Sequence, residues 1–147
     1  MALCLIALWV VCLATSLGFV AAVDWDCDME CPLGKSKAPK KGYKAVAKGC
    51  GNNGEFNGMA EKIGFLHCCH DHNLCYGVCK ADKEKCDAEF EECLASHCRT
   101  THHLIDQKEN CNSVAAGFNM GVTLFGCENY SKAQKEACNC VQNKDEL

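Results

Sequence analysis

The chain has 147 residues, a formal net charge of −4 and 16 Cys. The acidic charge argues against a nucleic-acid-binding protein, which would ordinarily be basic, and a hydrophobic content of 48% argues against a disordered chain. A cytosolic protein would seldom keep so many thiols reduced, so the composition predicts one disulfide-rich domain of the secretory pathway.

Residues 1–22 predict a signal peptide. An apolar core at Leu3–Leu13 is followed by small residues, and we expect cleavage after Ala22. An uncleaved membrane anchor is the alternative, because the uncharged run is long enough to span a bilayer. Two of the 16 Cys lie in this segment, which leaves 14 in the mature chain, an even number that can form seven disulfides.

Residues 23–48 predict an irregular N-terminal arm, because Pro and Gly interrupt it repeatedly. The arm begins acidic around Cys27 and Cys31 and then carries six Lys. These Lys could attract anionic lipid headgroups, but we favour a solvated surface. A loop rich in Gly and Asn follows at residues 49–58.

Two amphipathic helices are predicted next, over residues 65–80 and 85–98. Each places its Cys on one face, and the polar break between them is short, which favours an antiparallel pair. Because both helices rise equally per residue, one register puts two pairs of Cys level with each other. These pairs are Cys68 with Cys93 and Cys75 with Cys86. The same register brings His72 close to Asp87, so the sequence predicts a His–Asp pair held between two disulfides.

The remainder of the chain gives weaker structural signals and one strong targeting signal. Residues 114–125 predict a short helix, although three Gly in and beside it lower its helix propensity. Asn129 begins a glycosylation sequon. The last four residues, 144–147, read KDEL, the retrieval signal of the endoplasmic reticulum. This signal predicts that the protein is retained in the lumen of that compartment, and without retrieval it would be secreted. The lumen is oxidising, which agrees with the Cys content.

Three short strings carry a family resemblance. Residues 68–76 read CCHDHNLCY, residues 86–94 read CDAEFEECL, and residues 49–51 read GCG. Their joint spacing resembles the secreted phospholipase A2 family, which carries C-C-x-x-H-D-x-C-Y on one helix and C-D on the next. The C-D-x-E-F string is similar to the group XII branch. The resemblance covers about residues 25–143, nearly the whole mature chain.

The resemblance implies a mainly α, disulfide-rich domain over residues 23–143, built on a pair of antiparallel helices with a Gly-rich calcium-loop region. It also implies hydrolysis of the sn-2 ester of glycerophospholipids. His72 would be the general base that activates water, Asp87 would orient its ring, and Tyr76 would hydrogen-bond to Asp87. A third disulfide, Cys50–Cys69, is implied in the same way.

The resemblance further implies a Ca²⁺ ion that neutralises the phosphate and the developing oxyanion. Its expected ligands are the backbone carbonyls of Gly49, Gly51 and Asn53 and the side chain at position 73. The family pattern has Asp there, whereas this chain has Asn73, which offers a neutral oxygen and should weaken the site. Asp71 points to another side of the helix and is not expected to substitute.

Several alternatives stand beside this interpretation. The chain could be an inactive relative that binds lipid or a protein partner on the same scaffold, or a disulfide-rich structural or inhibitor module. A zinc site is disfavoured, because oxidised Cys cannot ligate. Its candidate ligands are His67, Cys68, Cys69, His70 and Cys75. Five apolar residues could line an acyl-chain entrance or pack in the core: Phe56, Met59, Ile63, Phe65 and Leu66.

The remaining expectations concern the surface and the partners. We expect His97, His102 and His103 to be surface residues of a polar loop. The expected partners are a phospholipid membrane surface and the KDEL retrieval receptor, with no nucleic acid, and the protein is expected to be a monomer.

Overall fold

The computed structural model describes residues 27–101 and 105–143, with the backbone alone for residues 105–108. The predicted signal peptide at 1–22, the KDEL signal at 144–147 and both His102 and His103 lie outside the described residues. Four helices and two strands make up the described part. In chain order they are β1 (Lys35–Pro39), α1 (Asn57–Ile63), α2 (Leu66–Tyr76), α3 (Lys83–Thr101), α4 (Ile105–Ala137) and β2 (Cys138–Gln142).

Helices α2 and α3 form the predicted antiparallel pair. Disulfides join Cys68 to Cys93 and Cys75 to Cys86, with Cα–Cα distances of 5.7 and 5.8 Å. Helix α3 begins after Asp82, whose side chain accepts a hydrogen bond from the Lys85 backbone N–H at 3.0 Å and so caps the first turn. The hairpin is therefore aligned by two crosslinks and a capped start.

The short helix predicted over residues 114–125 is in fact part of a much longer one, because α4 has 33 residues. Packing against α3 and the disulfide Cys98–Cys111 outweigh the low helix propensity of its glycines. A Cβ at Gly117 or Gly121 would meet nothing within 4 Å, so these two residues leave one side of α4 open. Within residues 27–101 and 105–143, no helix is both long and apolar enough to cross a membrane.

The expectation of an irregular arm is wrong for residues 35–39. They form β1, which pairs antiparallel with β2, with Lys35 opposite Gln142 and Pro39 opposite Cys138. The sequence signal for a strand is weak because this sheet has only two short strands. Disulfides join β2 to the chain before β1 through Cys31–Cys140, and to the segment between α2 and α3 through Cys79–Cys138. A third disulfide, Cys27–Cys127, joins the chain before β1 to α4.

The core lies between α2, α3 and α4. Phe65, Leu94 and Cys98 are among its fully buried side chains. Seven disulfides connect the 14 Cys of the described residues. Crosslinking of this density compensates for the small amount of apolar surface that so short a chain can bury.

A polar side chain of α4 is completely buried. Gln134 of α4 is 0% exposed, and its amide nitrogen donates to the backbone carbonyls of Tyr76 and Val78 at 2.9 and 2.7 Å. Its oxygen accepts from the Lys80 backbone N–H at 2.8 Å. These three bonds attach α4 to the segment that links α2 with α3.

Candidate active site

His72 and Asp87 face each other across the α2–α3 pair. The His72 Nε2 and Asp87 Oδ1 atoms are 2.8 Å apart, and His72 is only 9% exposed. Since an ionised carboxylate only accepts hydrogen bonds, the proton of a neutral ring lies on Nε2 and leaves Nδ1 as the acceptor. The ring packs between Tyr76 and Phe90, with centroid distances of 4.1 and 4.8 Å. The imidazole is thus held in one orientation and one tautomer.

Two further donors converge on the carboxylate of Asp87. The Tyr76 hydroxyl donates to Oδ1 at 2.5 Å, as the resemblance implies, and the Lys83 ammonium donates to Oδ2 at 2.6 Å. Lys83 is not among the site residues predicted from the sequence. The available signal was its position one turn before Asp87 on the same helix, a spacing that favours an ion pair.

These contacts shift two pKa values in opposite directions. Partial burial alone would raise the pKa of Asp87, but hydrogen bonds from His72, Lys83 and Tyr76, with the charge of Lys83, bring it below its ordinary value. Burial, and then the hydrogen bond and charge of Asp87, raise the pKa of the Tyr76 phenol far above its ordinary range. Tyr76 therefore remains a protonated donor, and Asp87 remains a charged acceptor, at any physiological pH.

The lowered pKa of Asp87 predicts a pH-dependent stability. A carboxyl group with a lower pKa in the folded state stabilises the fold above its unfolded pKa, about 3.9, and loses that contribution as the pH falls through the folded value. We therefore expect the free energy of unfolding, measured with urea, to fall below about pH 4. In Lys83→Met the folded pKa rises, so the decrease between pH 7 and pH 3 should be smaller. An equal decrease in both proteins would show that Lys83 has no influence on Asp87.

His72 opens onto an apolar groove of about 680 Å³. Residues of α1, α3 and α4 line this groove together with the glycine loop, which is residues 49–58. Among the lining residues are Phe56, Met59, Phe90 and Phe118. The five apolar candidates for an acyl-chain entrance fall into two groups, one that lines the groove and one that packs in the core. Phe56 and Met59 line the groove and are 47% and 49% exposed, whereas Phe65 is fully buried and Ile63 and Leu66 pack against the core.

The glycine loop lies beside this groove and needs unusual backbone angles. Gly49, Gly51 and Asn53 have φ values of 89°, 79° and 65°, in the left-handed region that favours glycine. The Asn57 side chain accepts from the Cys50 backbone N–H at 2.8 Å, and a disulfide joins Cys50 to Cys69 on α2, the third pair that the resemblance implies. The loop is thus closed on itself and fastened to the helix that carries His72.

Asn73 connects α2 to this loop through its amide nitrogen. Nδ2 is 2.8 Å from the Gly49 carbonyl oxygen and 2.5 Å from the Cys69 carbonyl oxygen. The reversed amide would place Oδ1 against two carbonyl oxygens, so the hydrogen bonds assign the nitrogen to this side. Asn73 therefore presents a donor, and not a ligand atom, to the carbonyl of Gly49.

This arrangement does not fit the calcium site that the resemblance implies. Calcium is held by oxygen ligands that usually include carboxylates, and here the side chain at position 73 is neutral and turns its nitrogen toward the first expected carbonyl. Gly51, Asn53 and Asn73 line one cavity, and Asn73 turns its nitrogen, not its oxygen, toward the neighbouring Gly49 carbonyl. Asp71 is exposed on α2.

Zinc chemistry is not supported by the described residues either. Among residues 27–101 and 105–143, His67, Cys68 and Cys93 are the one group of three or more His, Cys, Asp or Glu close enough to share an ion. Cys68 and Cys93 are bonded to each other as a disulfide, so neither can supply a thiolate.

The expectation that His97 belongs to a polar surface loop is wrong. His97 lies within α3 and is partly buried, with Nε2 2.8 Å from the backbone carbonyl oxygen of Ile63. A Cβ at Gly64 would lie 2.5 Å from the His97 ring, so the glycine that ends α1 also makes room for this contact. His97 therefore fastens α1 to α3.

The chain is similar to one known protein family and to several curated proteins. A model of the group XII secretory phospholipase A2 precursor family matches residues 11–147. Group XIIA secretory phospholipase A2 from Mus musculus is 30% identical over 87% of this chain and 69% of its own length, and the Homo sapiens protein is 31% identical over 87% and 70%. The group XIIB secretory phospholipase A2-like protein of Mus musculus is 32% identical over 82% of this chain and 67% of its own length. No solved structure gives a significant match.

These matches extend over most of the chain, and the mainly helical, disulfide-rich fold is the one that the resemblance implies. The chain belongs to the group XII secretory phospholipase A2 family.

Proposed function

We propose that this protein hydrolyses the sn-2 ester of glycerophospholipids at a low rate. The observation that carries the proposal is the His72–Asp87 pair, with His72 buried and Asp87 partly buried, at the wall of an apolar groove. A pair of this kind supplies an oriented base, and the groove supplies a place for acyl chains away from water. The family to which the chain belongs agrees with this chemistry.

The residues of the chain account for the proton transfers. Nδ1 of His72 takes a proton from the water that attacks the ester carbonyl and later gives it to the leaving alkoxide. Asp87 accepts from Nε2 and stabilises the imidazolium that forms in between. Tyr76 and Lys83 hold Asp87 in place.

The low rate follows from the loop. Charge that develops on the ester oxygen needs preorganised donors or a cation, and stabilisation of this kind is usually the largest contribution to such a reaction. The resemblance implies a calcium-dependent enzyme with a weakened site, and the contacts of Asn73 favour a rate that responds little to Ca²⁺.

The cellular setting belongs to the same proposal. Residues 1–22 and the KDEL signal at 144–147 would place the mature chain in the lumen of the endoplasmic reticulum. Its partners there would be a phospholipid membrane surface and the KDEL retrieval receptor, and it would act as a monomer.

Fatty-acid release from vesicles tests the hydrolysis. The mature chain with its disulfides formed should release sn-2 fatty acid slowly from phosphatidylcholine–phosphatidylglycerol vesicles, and His72→Gln should abolish the release. His70→Gln is the matched control on the same helix and should leave the rate unchanged. No release by the natural protein at any calcium concentration, or equal loss in both variants, would contradict the proposal.

A second candidate function is lipid binding without turnover, which the neutral side chain of Asn73 favours. Gly121→Leu would fill part of the groove, because Gly121 lines it and a Cβ there meets nothing within 4 Å. We expect this variant to weaken vesicle binding, whereas Ala116→Leu on an exposed part of α4 should not. Weakened binding with no fatty-acid release by the natural protein would favour this second function.

A further inference from the structure

We propose that the Asn73 amide takes the place of a metal ion in this loop. Its NH2 group bridges the carbonyls of Gly49 and Cys69, at 2.8 and 2.5 Å, and so organises the glycine loop by hydrogen bonds alone. The loop is then complete without calcium. This inference goes beyond the proposed function, because it concerns how the loop is held and not whether lipid is hydrolysed.

The two carbonyls contacted by Nδ2 belong to different elements: Gly49 belongs to the loop, and Cys69 lies one turn before Asn73 on α2. A single NH2 group has two protons, and each finds one acceptor. The donor capacity of this amide is therefore used fully, and it joins the loop to the helix.

A cation bound to the Gly49 carbonyl would compete with Nδ2 of Asn73 for that oxygen, and Asn73 would have to rotate to offer its own oxygen. Both hydrogen bonds would then be lost, and a donor would be left near a positive charge. The cation would gain one neutral oxygen ligand in exchange, whereas calcium affinity increases with the number and charge of the ligands.

Other contacts already hold the loop in shape. The Cys50 backbone N–H donates to Asn57, the Phe56 backbone N–H donates to the Cys50 carbonyl at 3.1 Å, and a disulfide joins Cys50 to Cys69. With both ends of the loop fixed in this way, Asn73 needs to supply only the last connection.

The proposal predicts that calcium leaves the melting temperature of the natural protein unchanged and raises that of a nearly isosteric variant. The melting temperature of the natural protein should be the same in EDTA and in millimolar Ca²⁺. Asn73→Asp loses the NH2 donor and faces two carbonyl oxygens with a carboxylate, so its melting temperature in EDTA should fall by about 5 °C or more. Ca²⁺ should recover most of that loss. Asn112→Asp, an exposed change of the same kind on α4, should show neither effect.

A direct observation on the natural protein tests the proposal even if Asn73→Asp fails to fold. In the ¹⁵N-labelled natural protein, the side-chain NH2 signal of Asn73, assigned by its absence in Asn73→Ala, should be slow to exchange with solvent and unmoved by Ca²⁺. A calcium-induced shift of this signal, saturable calcium binding by calorimetry, or a calcium-dependent melting temperature of the natural protein would overturn the proposal. None of these measurements involves lipid, so failure here and failure of the proposed hydrolysis are distinguishable.

Discussion

Replacing Gln134 by Leu is expected to lower the free energy of unfolding by about 2–4 kcal/mol. Leu has a similar size, but it removes the partner of the Tyr76 carbonyl and of the Lys80 N–H, whereas the Val78 carbonyl still accepts from the Ala81 N–H at 2.9 Å. Each buried backbone group left unsatisfied costs about 1–3 kcal/mol. Denaturant unfolding with the disulfides intact measures the change.

A conservative variant and a control separate the hydrogen bonds from the packing. Gln134→Glu keeps an acceptor for Lys80 but turns a second oxygen toward two carbonyls, so it should also be strongly destabilising. Gln142→Leu, at the exposed end of β2, should change the stability by less than about 0.5 kcal/mol. A Gln134→Leu protein as stable as the natural one would show that the buried amide contributes nothing to the attachment of α4.

Asp87→Asn is expected to lower both the stability and the proposed activity by large factors. Whichever way the new amide turns, its NH2 group faces a donor, either the Lys83 ammonium or the side chains of His72 and Tyr76. Leaving a half-buried ammonium without its carboxylate costs about 3 kcal/mol. The His72 ring also loses the acceptor that selects its tautomer, so hydrolysis should fall by about 100-fold or more.

Both effects of Asp87→Asn can be measured on one preparation. Urea unfolding at pH 7 gives the stability, and fatty-acid release from vesicles gives the rate. Asp71→Asn, an exposed change of the same kind on α2, should alter neither. Unchanged stability and an unchanged rate in Asp87→Asn would mean that the convergence of three donors on this carboxylate has no energetic importance.

The sequence predicts the centre of the molecule well because helical geometry leaves little freedom there. Once two helices of equal rise are antiparallel, the level positions of Cys68 with Cys93 and Cys75 with Cys86 follow, and His72 then lies near Asp87. The group XII phospholipase A2 family and the mainly helical, disulfide-rich fold are confirmed. The roles of His72, Asp87 and Tyr76 in hydrolysis stay predictions.

Other features depend on contacts that no local pattern reports. The length of α4 comes from packing and a disulfide that override three glycines, and β1 pairs with a strand about a hundred residues later in the chain. Gln134 looks like an ordinary polar helix residue in the sequence, although it is completely buried. The orientation of the Asn73 amide depends on the positions of two backbone carbonyls, and the residue types in a sequence do not report where backbone atoms lie.

The spacing of the disulfides has a consequence for how the chain reaches its final state. Four of them close short loops, with sequence separations of 11, 13, 19 and 25 residues, and these include every crosslink around His72. The other three span 59, 100 and 109 residues, and loop closure becomes less favourable as loops lengthen. As its disulfides form, the chain would therefore assemble the α2–α3 pair, with the His72–Asp87 contact already in place, before its two ends are joined through the sheet.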